Sequence, residues 1–410
     1  MSGQDGSIYS RRGFLKSAAI GAAIAALPAG TRLAFAASGA PSQTIVVLLL
    51  RGGQDGLLLL GPTDDSNYVA ARPDTLRVTN SGTGAGIPLA NAPTSQDWRL
   101  NPVAAPLAEL YQQGTLGFVT AVGLESNTRS HFQAIDLIET GLTDISQVTA
   151  APGWLTTYTG LASNVPVLGA VACAPQAEID WQNSISVVTI PDPKRYSLPL
   201  KTDDAFLRAA YATGSLSAPA LQTLNVVKAV NAAAANDTTD TSKLGPFGGV
   251  AQLINMNIGL RIITVEFGGW DTHNGEQERF TTNLTNLSNQ LAAFWNAIPN
   301  HQNSTTVMSL TDFGRRVQSN ANGGTDHGSG QVMTVLGNGV AGGKIYGDWL
   351  GLAANVLDAG DVPITTDIRS AMWEVVAPTL PGHKITDLFP GVTSTPVGIM
   401  KAAAANRAAL

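Results

Sequence analysis

The seven residues Thr44 to Leu50, TIVVLLL, contain no polar side chain after the first and no alternation of polar with apolar. A strand of this kind must be covered on both faces, because every second residue would otherwise stand in water. Strands buried on both faces belong to parallel sheets flanked by helices. The rest of the chain agrees with that constraint. Leu116 to Val122 and Arg261 to Phe267 read as strands, as do Thr305 to Leu310 and Gln331 to Leu336. Between them Pro102 to Gln113, Ser130 to Glu139 and Phe280 to Ala297 carry helical spacing. The alternation predicts an α/β fold with a largely parallel central sheet, in which ligands gather beyond the carboxyl ends of the strands.

The N-terminus is read apart from the fold. Ser10-Arg11-Arg12-Gly13-Phe14-Leu15-Lys16 leads a small-residue apolar stretch that closes at Ala34-Phe35-Ala36. This is the pattern of a twin-arginine signal, residues 1–36, and it predicts export to the periplasm or beyond. The expected mature unit is a single α/β domain, 37–410, with a possible insertion and flexible segment at 152–245. Loss of four basic residues and one acidic residue takes the formal charge from −6 to −9. An acidic surface disfavours nucleic acid as partner. No later apolar run reaches the roughly 18 residues of a membrane span. The single cysteine, Cys173, excludes an internal disulfide, so stability must come from a packed core.

Chemistry-bearing residues collect where strands end or helices begin. The stretches are Arg51 to Leu57 (RGGQDGL), Asn127 to Phe132 (NTRSHF), Gly268 to His273 (GGWDTH), Thr311 to Arg316 (TDFGRR) and Gly323 to Gly328 (GGTDHG). Three of the five histidines fall inside them, while His301 and His383 stand in polar surroundings. Carboxylates and neutral imidazoles suit zinc, manganese or iron, and a mixed nitrogen and oxygen set marks a catalytic rather than a structural ion. Arg51, Arg129, Arg315 and Arg316 have the geometry to hold a doubly charged oxyanion.

Each residue also has a plainer reading. Ser130 with Gln133 spells a capping box. Asp55 between polar and glycine neighbours is a plausible turn residue. His131 is equally suited to a ligand or to a partner of one, Asp326 to orienting the adjacent His327. The arginines are equally suited to surface pairing.

The motifs RGGxDG, RSHF, GGWDTH, FGRR and GGTDHG, in this order, resemble a family of secreted bacterial proteins catalogued as domain of unknown function 1501 and grouped with the alkaline phosphatase and sulfatase superfamily. The resemblance spans essentially the whole expected mature chain. It implies an alkaline-phosphatase-like α/β/α sandwich with a metal-dependent site at the strand ends. By the same resemblance Asp55 matches the carboxylate after the first strand and Ser130 the nucleophilic hydroxyl at a helix N-terminus. Asp271, His273, Asp312 and His327 match further metal ligands. The superfamily's histidine directly after the carboxylate is replaced by Phe313, which leaves the second of two metal positions short of a ligand. The expected roles are therefore Asp271, His273 and His327 on a principal ion, Asp55 and Asp312 on a weaker second one, and Arg129 and Arg315 on the ester oxygens. Two functions follow: a metal-dependent hydrolase of small anionic phosphate or sulfate esters, or a secreted binding or assembly protein that keeps the fold without the activity.

Overall fold

The computed structural model describes residues 43–126, 128–162, 165–166, 168–184, 187–196, 204–214 and 217–402. The stretch expected to be an export signal, its expected cleavage site and Asn127 lie outside the described residues.

The central sheet contains β1 (Thr44–Leu50), β2 (Leu116–Gly123), β3 (Ala170–Ala172), β4 (Val188–Thr189), β5 (Ile262–Phe267), β6 (Thr305–Thr311), β7 (Gln331–Gly337), β8 (Ile345–Tyr346) and β9 (Thr366–Asp367). Their order is β8-β2-β7-β6-β1-β5-β3-β4, with β9 also pairing β2. β1 lies between β5 and β6, parallel to both, with Leu50 level with Phe267 on one side and Thr311 on the other. β3 continues the parallel run beside β5, and β4 beside β3. β7 alone among these runs antiparallel to both neighbours, β2 and β6. Its first residue, Gln331, pairs with Val122 near the carboxyl end of β2. The mixed α/β architecture and largely parallel sheet agree with the sequence pattern.

β1 shows why the sequence demands two covering layers. Val46, Leu48 and Leu50 enter one apolar cluster, and Ile45, Val47 and Leu49 enter another. The first cluster takes Leu107 and Leu110 of α1 (Ala105–Gln112), together with Val226 and Val230 of α4 (Ser217–Ala234). It also takes Val250 of α5 (Phe247–Asn255) and the stripe Phe280, Leu284, Leu287, Leu291, Phe294 of α6 (Glu276–Ala297). That stripe repeats at steps of four and three, the period of one helix face. The second cluster takes Leu137 of α2 (His131–Thr140), Trp154 of α3 (Trp154–Leu161) and Met372 of α7 (Ile368–Val376). Burial of each large aliphatic side chain contributes about 1.5–3 kcal/mol.

The turn after β1 is bound by its glycines. Gly52 has φ +116°, and a Cβ there would stand 2.4 Å from the Asp271 nitrogen. A side chain would force this turn away from the Trp270–Asp271 backbone. Four segments therefore meet at one end of the sheet: Arg51–Gln54, Gly268–Gly275, the N-terminus of α2, and the hairpin Arg315–Ser319 with Thr325–His327.

Candidate metal centre

Three imidazoles and one carboxylate converge where these segments meet. Asp271 Oδ1 lies 3.1 Å from His273 Nε2, 3.5 Å from His131 Nε2 and 3.6 Å from His327 Nε2. The Nε2 atoms of His273 and His327 are 2.8 Å apart. His131, Asp271 and His327 each offer a ligand atom within 4.8 Å of the others.

The opposite nitrogen of each ring is anchored to oxygen. His327 Nδ1 is 2.6 Å from the Arg129 carbonyl, which can only accept, so Nδ1 carries the proton and Nε2 presents a lone pair. His131 Nδ1 is 2.6 Å from Asp312 Oδ2, and His273 Nδ1 is 3.1 Å from Asp326 Oδ1. Metal-binding histidines use this arrangement: the outer hydrogen bond sets the tautomer and aims the free nitrogen. With its outer nitrogen held by oxygen, each ring aims Nε2 at one carboxylate oxygen and at its neighbours. Such a convergence is relieved by a positive charge among the rings, either a proton shared between them or a metal ion. His131 Nε2 is buried without a hydrogen bond, as a ligand awaiting an ion would be. Tetrahedral ligands at zinc distances stand about 3.3 Å apart, which the observed separations bracket. The donor set thus fits a divalent cation.

Electrostatics separate the rings. The hydrogen bond to Asp312 holds His131 above the ordinary histidine range, against the opposing effect of burial. Burial holds His327 below it, and the Arg129 carbonyl offsets this only in part. Partial burial alone would raise Asp271, but hydrogen bonding and charge from Arg315, with His131 and His273, bring it below the usual carboxylate range. Phe313 packs its ring 4.8 Å from His131 and 4.3 Å from His327, forming an apolar wall where the resemblance calls for another imidazole.

Buried struts hold the loops in place. Glu276 accepts hydrogen bonds from Thr272 Oγ1 at 2.7 Å and Thr325 Oγ1 at 2.9 Å, tying the loop of Asp271 and His273 to the hairpin of Asp326 and His327. Asn320 donates to the His273 carbonyl and to Asp326 Oδ1.

Several expected ligands are placed differently. Asp55 is 1% exposed and caps the short helix Gly56–Leu59 through the amides of Leu57 and Leu58. Its other oxygen takes Arg72 Nη1 at 2.5 Å. The fold gives that carboxylate a built-in guanidinium partner, and Asp55 stands outside the convergent set. Asp312 accepts from Gly52 N and His131 and orients a ligand rather than joining the convergent set. Arg315 is buried, donating to the carbonyls of Gly53, Thr325, Gly52 and Trp270 and to Asp271 Oδ1. It clamps the site from below, and the expected contact with ester oxygens gives way to that role. Asp326 orients His273, not the adjacent His327.

Ser130 stands at the N-cap of α2, exposed, with no side-chain capping bond. Thr128 Oγ1 accepts from the Ser130 amide and donates to Gln133 Oε1, so Thr128 makes the contact a capping box would give the Gln133 side chain, and the serine hydroxyl makes no capping bond. Arg129 donates from Nη1 to the His327 carbonyl and pairs with the buried Asp361. The spacing of GGWDTH and GGTDHG, with imidazoles two and one residues beyond aspartates at strand ends, made His273 and His327 legible. Arg72, Glu276 and Asp361 had no signal in local sequence. His131 did, through the RSHF motif, but its role as convergent ligand depends on Asp312 meeting it from another strand.

Residues 251–366 match a family model described as "Protein of unknown function (DUF1501)". That segment holds Asp271, His273, Asp312 and His327 but not Ser130 or His131. No curated protein matches the chain. Among solved structures, the chain is similar to the C-terminal periplasmic domain of EcEptC from Escherichia coli in complex with zinc. Identity is 11%, coverage 73% of this chain and 74% of that one, and the TM-score 0.33. It is also similar to alkaline phosphatase from the Antarctic bacterium TAB5, at 9% identity, 73% and 92% coverage and a TM-score of 0.33. No helix among the described residues is long and apolar enough to cross a membrane.

Proposed function

We propose that the protein is an exported hydrolase of small anionic phosphate or sulfate esters, dependent on one divalent cation. The observation that supports this most is the convergence of His131, His273 and His327 Nε2 on Asp271 Oδ1, each ring held from behind by an oxygen. His131, Asp271 and His327 would hold the ion, with His273 completing the set. Zinc is the best match to a compact nitrogen-rich donor set, ahead of manganese or iron. When bound, the cation lowers the pKa of a nearby hydroxyl and draws charge from an ester oxygen.

This chain's own residues would do the rest. Ser130 has a hydroxyl free of capping duty and lies next to His131 on the first turn of α2, where amides and helix dipole favour an oxyanion. Its expected role is the nucleophile that attacks phosphorus or sulfur. Arg129 Nε and Nη2 make no hydrogen bond among the described residues, and the side chain is 43% exposed. They are suited to the ester oxygens as charge develops. Asp55 and Asp312 are engaged elsewhere, which supports one ion instead of two. The N-terminal twin-arginine pattern supports export in the folded, metal-loaded state.

The decisive experiment combines metal analysis of protein exported by its own signal with assays on an aryl phosphate, a phosphodiester and an aryl sulfate. Turnover should require the metal, disappear with chelator and disappear in Ser130→Ala while metal content is kept. A fully loaded wild type that turns over none of the three would leave the binding or assembly role as the better reading.

A further inference from the structure

A cleft adjoins the metal centre, and Asp312 and Phe313 line both. Its other walls include Ser126, Thr128, Ser329 and Gln331. Gln331 is 2% exposed, and its Oε1 has no hydrogen-bond partner. The amide cannot simply be turned over. Its Nε2 is 3.2 Å from the Thr311 carbonyl, which accepts only, so the nitrogen must face Thr311 and the oxygen is left as an orphaned acceptor. Leaving a buried acceptor unmet is costly, and such groups in native structures are nearly always satisfied by something.

The neighbouring hydroxyls sharpen what that something must be. Thr128 Oγ1 donates to Gln133 Oε1 at 2.7 Å, and Ser329 Oγ donates to Asp361 Oδ2 at 3.1 Å. Their protons are spent, so both present lone pairs. Asp312 adds carboxylate character, and Ser126 alone keeps a hydroxyl able to turn either way. The side chains that line the cleft are therefore richer in acceptors than in donors. The antiparallel course of β7 produces this, because it brings its first residue, Gln331, to the carboxyl ends of the parallel strands.

Building on the ester-hydrolase reading, we infer that the cleft is a substrate subsite for a hydroxyl-bearing group, so that the natural substrate is an ester of a polyol and not of a simple aryl or alkyl alcohol. A hydroxylated group supplies the donor that Gln331 Oε1 lacks. A site built to bind a hydroxyl rejects the analogue without it, since the buried acceptor then stays unpaired.

The test compares glycerol 1-phosphate with propyl phosphate, the same skeleton without hydroxyls, by calorimetry on zinc-loaded protein. The polyol ester should bind about ten-fold tighter, one hydrogen bond's worth. Gln331→Met, which keeps the volume and removes the acceptor, should bring the two affinities to within about two-fold. Because that variant also loses the bond to Thr311 and could fold poorly, a wild-type crystal grown with glycerol provides a second measurement: a glycerol oxygen should lie within hydrogen-bond distance of Gln331 Oε1. Equal affinities in the wild type, or a crystal in which only water meets Gln331, would overturn the subsite and leave the ester reading intact. If neither phosphate nor the corresponding propyl sulfate binds while glycerol still occupies the cleft, the subsite stands and the ester reading fails.

Discussion

Asp271 and Asp55 both follow a buried parallel strand, both lie in glycine-containing turns, and both were expected to hold metal, yet the fold treats them in opposite ways. Asp271 is partly exposed, and the Nε2 atoms of three imidazoles face it. Asp55 is sealed in, with two backbone amides on one oxygen and the Arg72 guanidinium on the other. The first carboxylate stands among imidazoles that together fit a cation; the second has a guanidinium built into the chain. Whether an aspartate at a strand end is a ligand therefore depends less on its own position than on whether a distant arginine reaches it.

The comparison is broken most directly by deleting one member from each side. Asp271→Ala or His327→Ala should abolish stoichiometric zinc binding in dialysed protein, because each removes a donor from the convergent set. Stoichiometric zinc retained in both variants would show that the cluster is not the metal site. Asp55→Ala should leave the zinc content at the wild-type value and lower stability by about 3–5 kcal/mol, read from denaturant unfolding, because it strands a buried guanidinium. Loss of zinc with little loss of stability in that variant would reverse the assignment of the two aspartates.

A third group of charges tests how far the fold's own cations suffice. Arg51 pairs with Glu139 and Glu266 behind the site, and Asp180 and Glu178 lie near them. Burial, which Arg51 offsets only in part, raises Glu139, and burial with repulsion from Glu139 raises Asp180. Burial pushes Glu178 up to about 7 from its ordinary 4.5. A carboxyl raised in the folded state binds protons more tightly there than in the unfolded chain. Its stabilising contribution is present below the unfolded value and is lost as pH rises through the folded one. The melting temperature should accordingly be higher near pH 5.5 than near pH 8, and Glu178→Gln should flatten that slope. A melting temperature that climbs from pH 5.5 to pH 8 would contradict the crowding of these acids.

The smallest expected effect concerns Ser130. A serine that caps a helix loses about 0.5–2 kcal/mol on replacement by alanine. Here the Ser130 hydroxyl makes no capping bond, so Ser130→Ala should change unfolding free energy by no more than a few tenths of a kcal/mol. A full capping loss would return the serine to a structural role.

Much of this was legible in the chain. Strands that must be buried on both faces announce themselves as unbroken apolar runs, and α6 announces itself by its four-and-three stripe. The centre was legible in part, because aspartate and histidine placed together just beyond a strand end are brought to one edge of any parallel sheet. Periodicity could not indicate that β7 would run antiparallel, since an apolar run reads the same in either direction.

What the sequence by itself determined was the layer architecture and the end of the sheet where chemistry would gather, because both follow from local periodicity and from the rule that parallel strands share a direction. Only the tertiary structure decided which charged groups are ligands and which are struts. Arg72 reaches Asp55 from 17 residues away, Arg315 reaches Gly52 from 263 and Asp312 reaches His131 from 181. A charge's role is set by what neutralises it, and in this molecule the neutralising group mostly comes from another part of the chain.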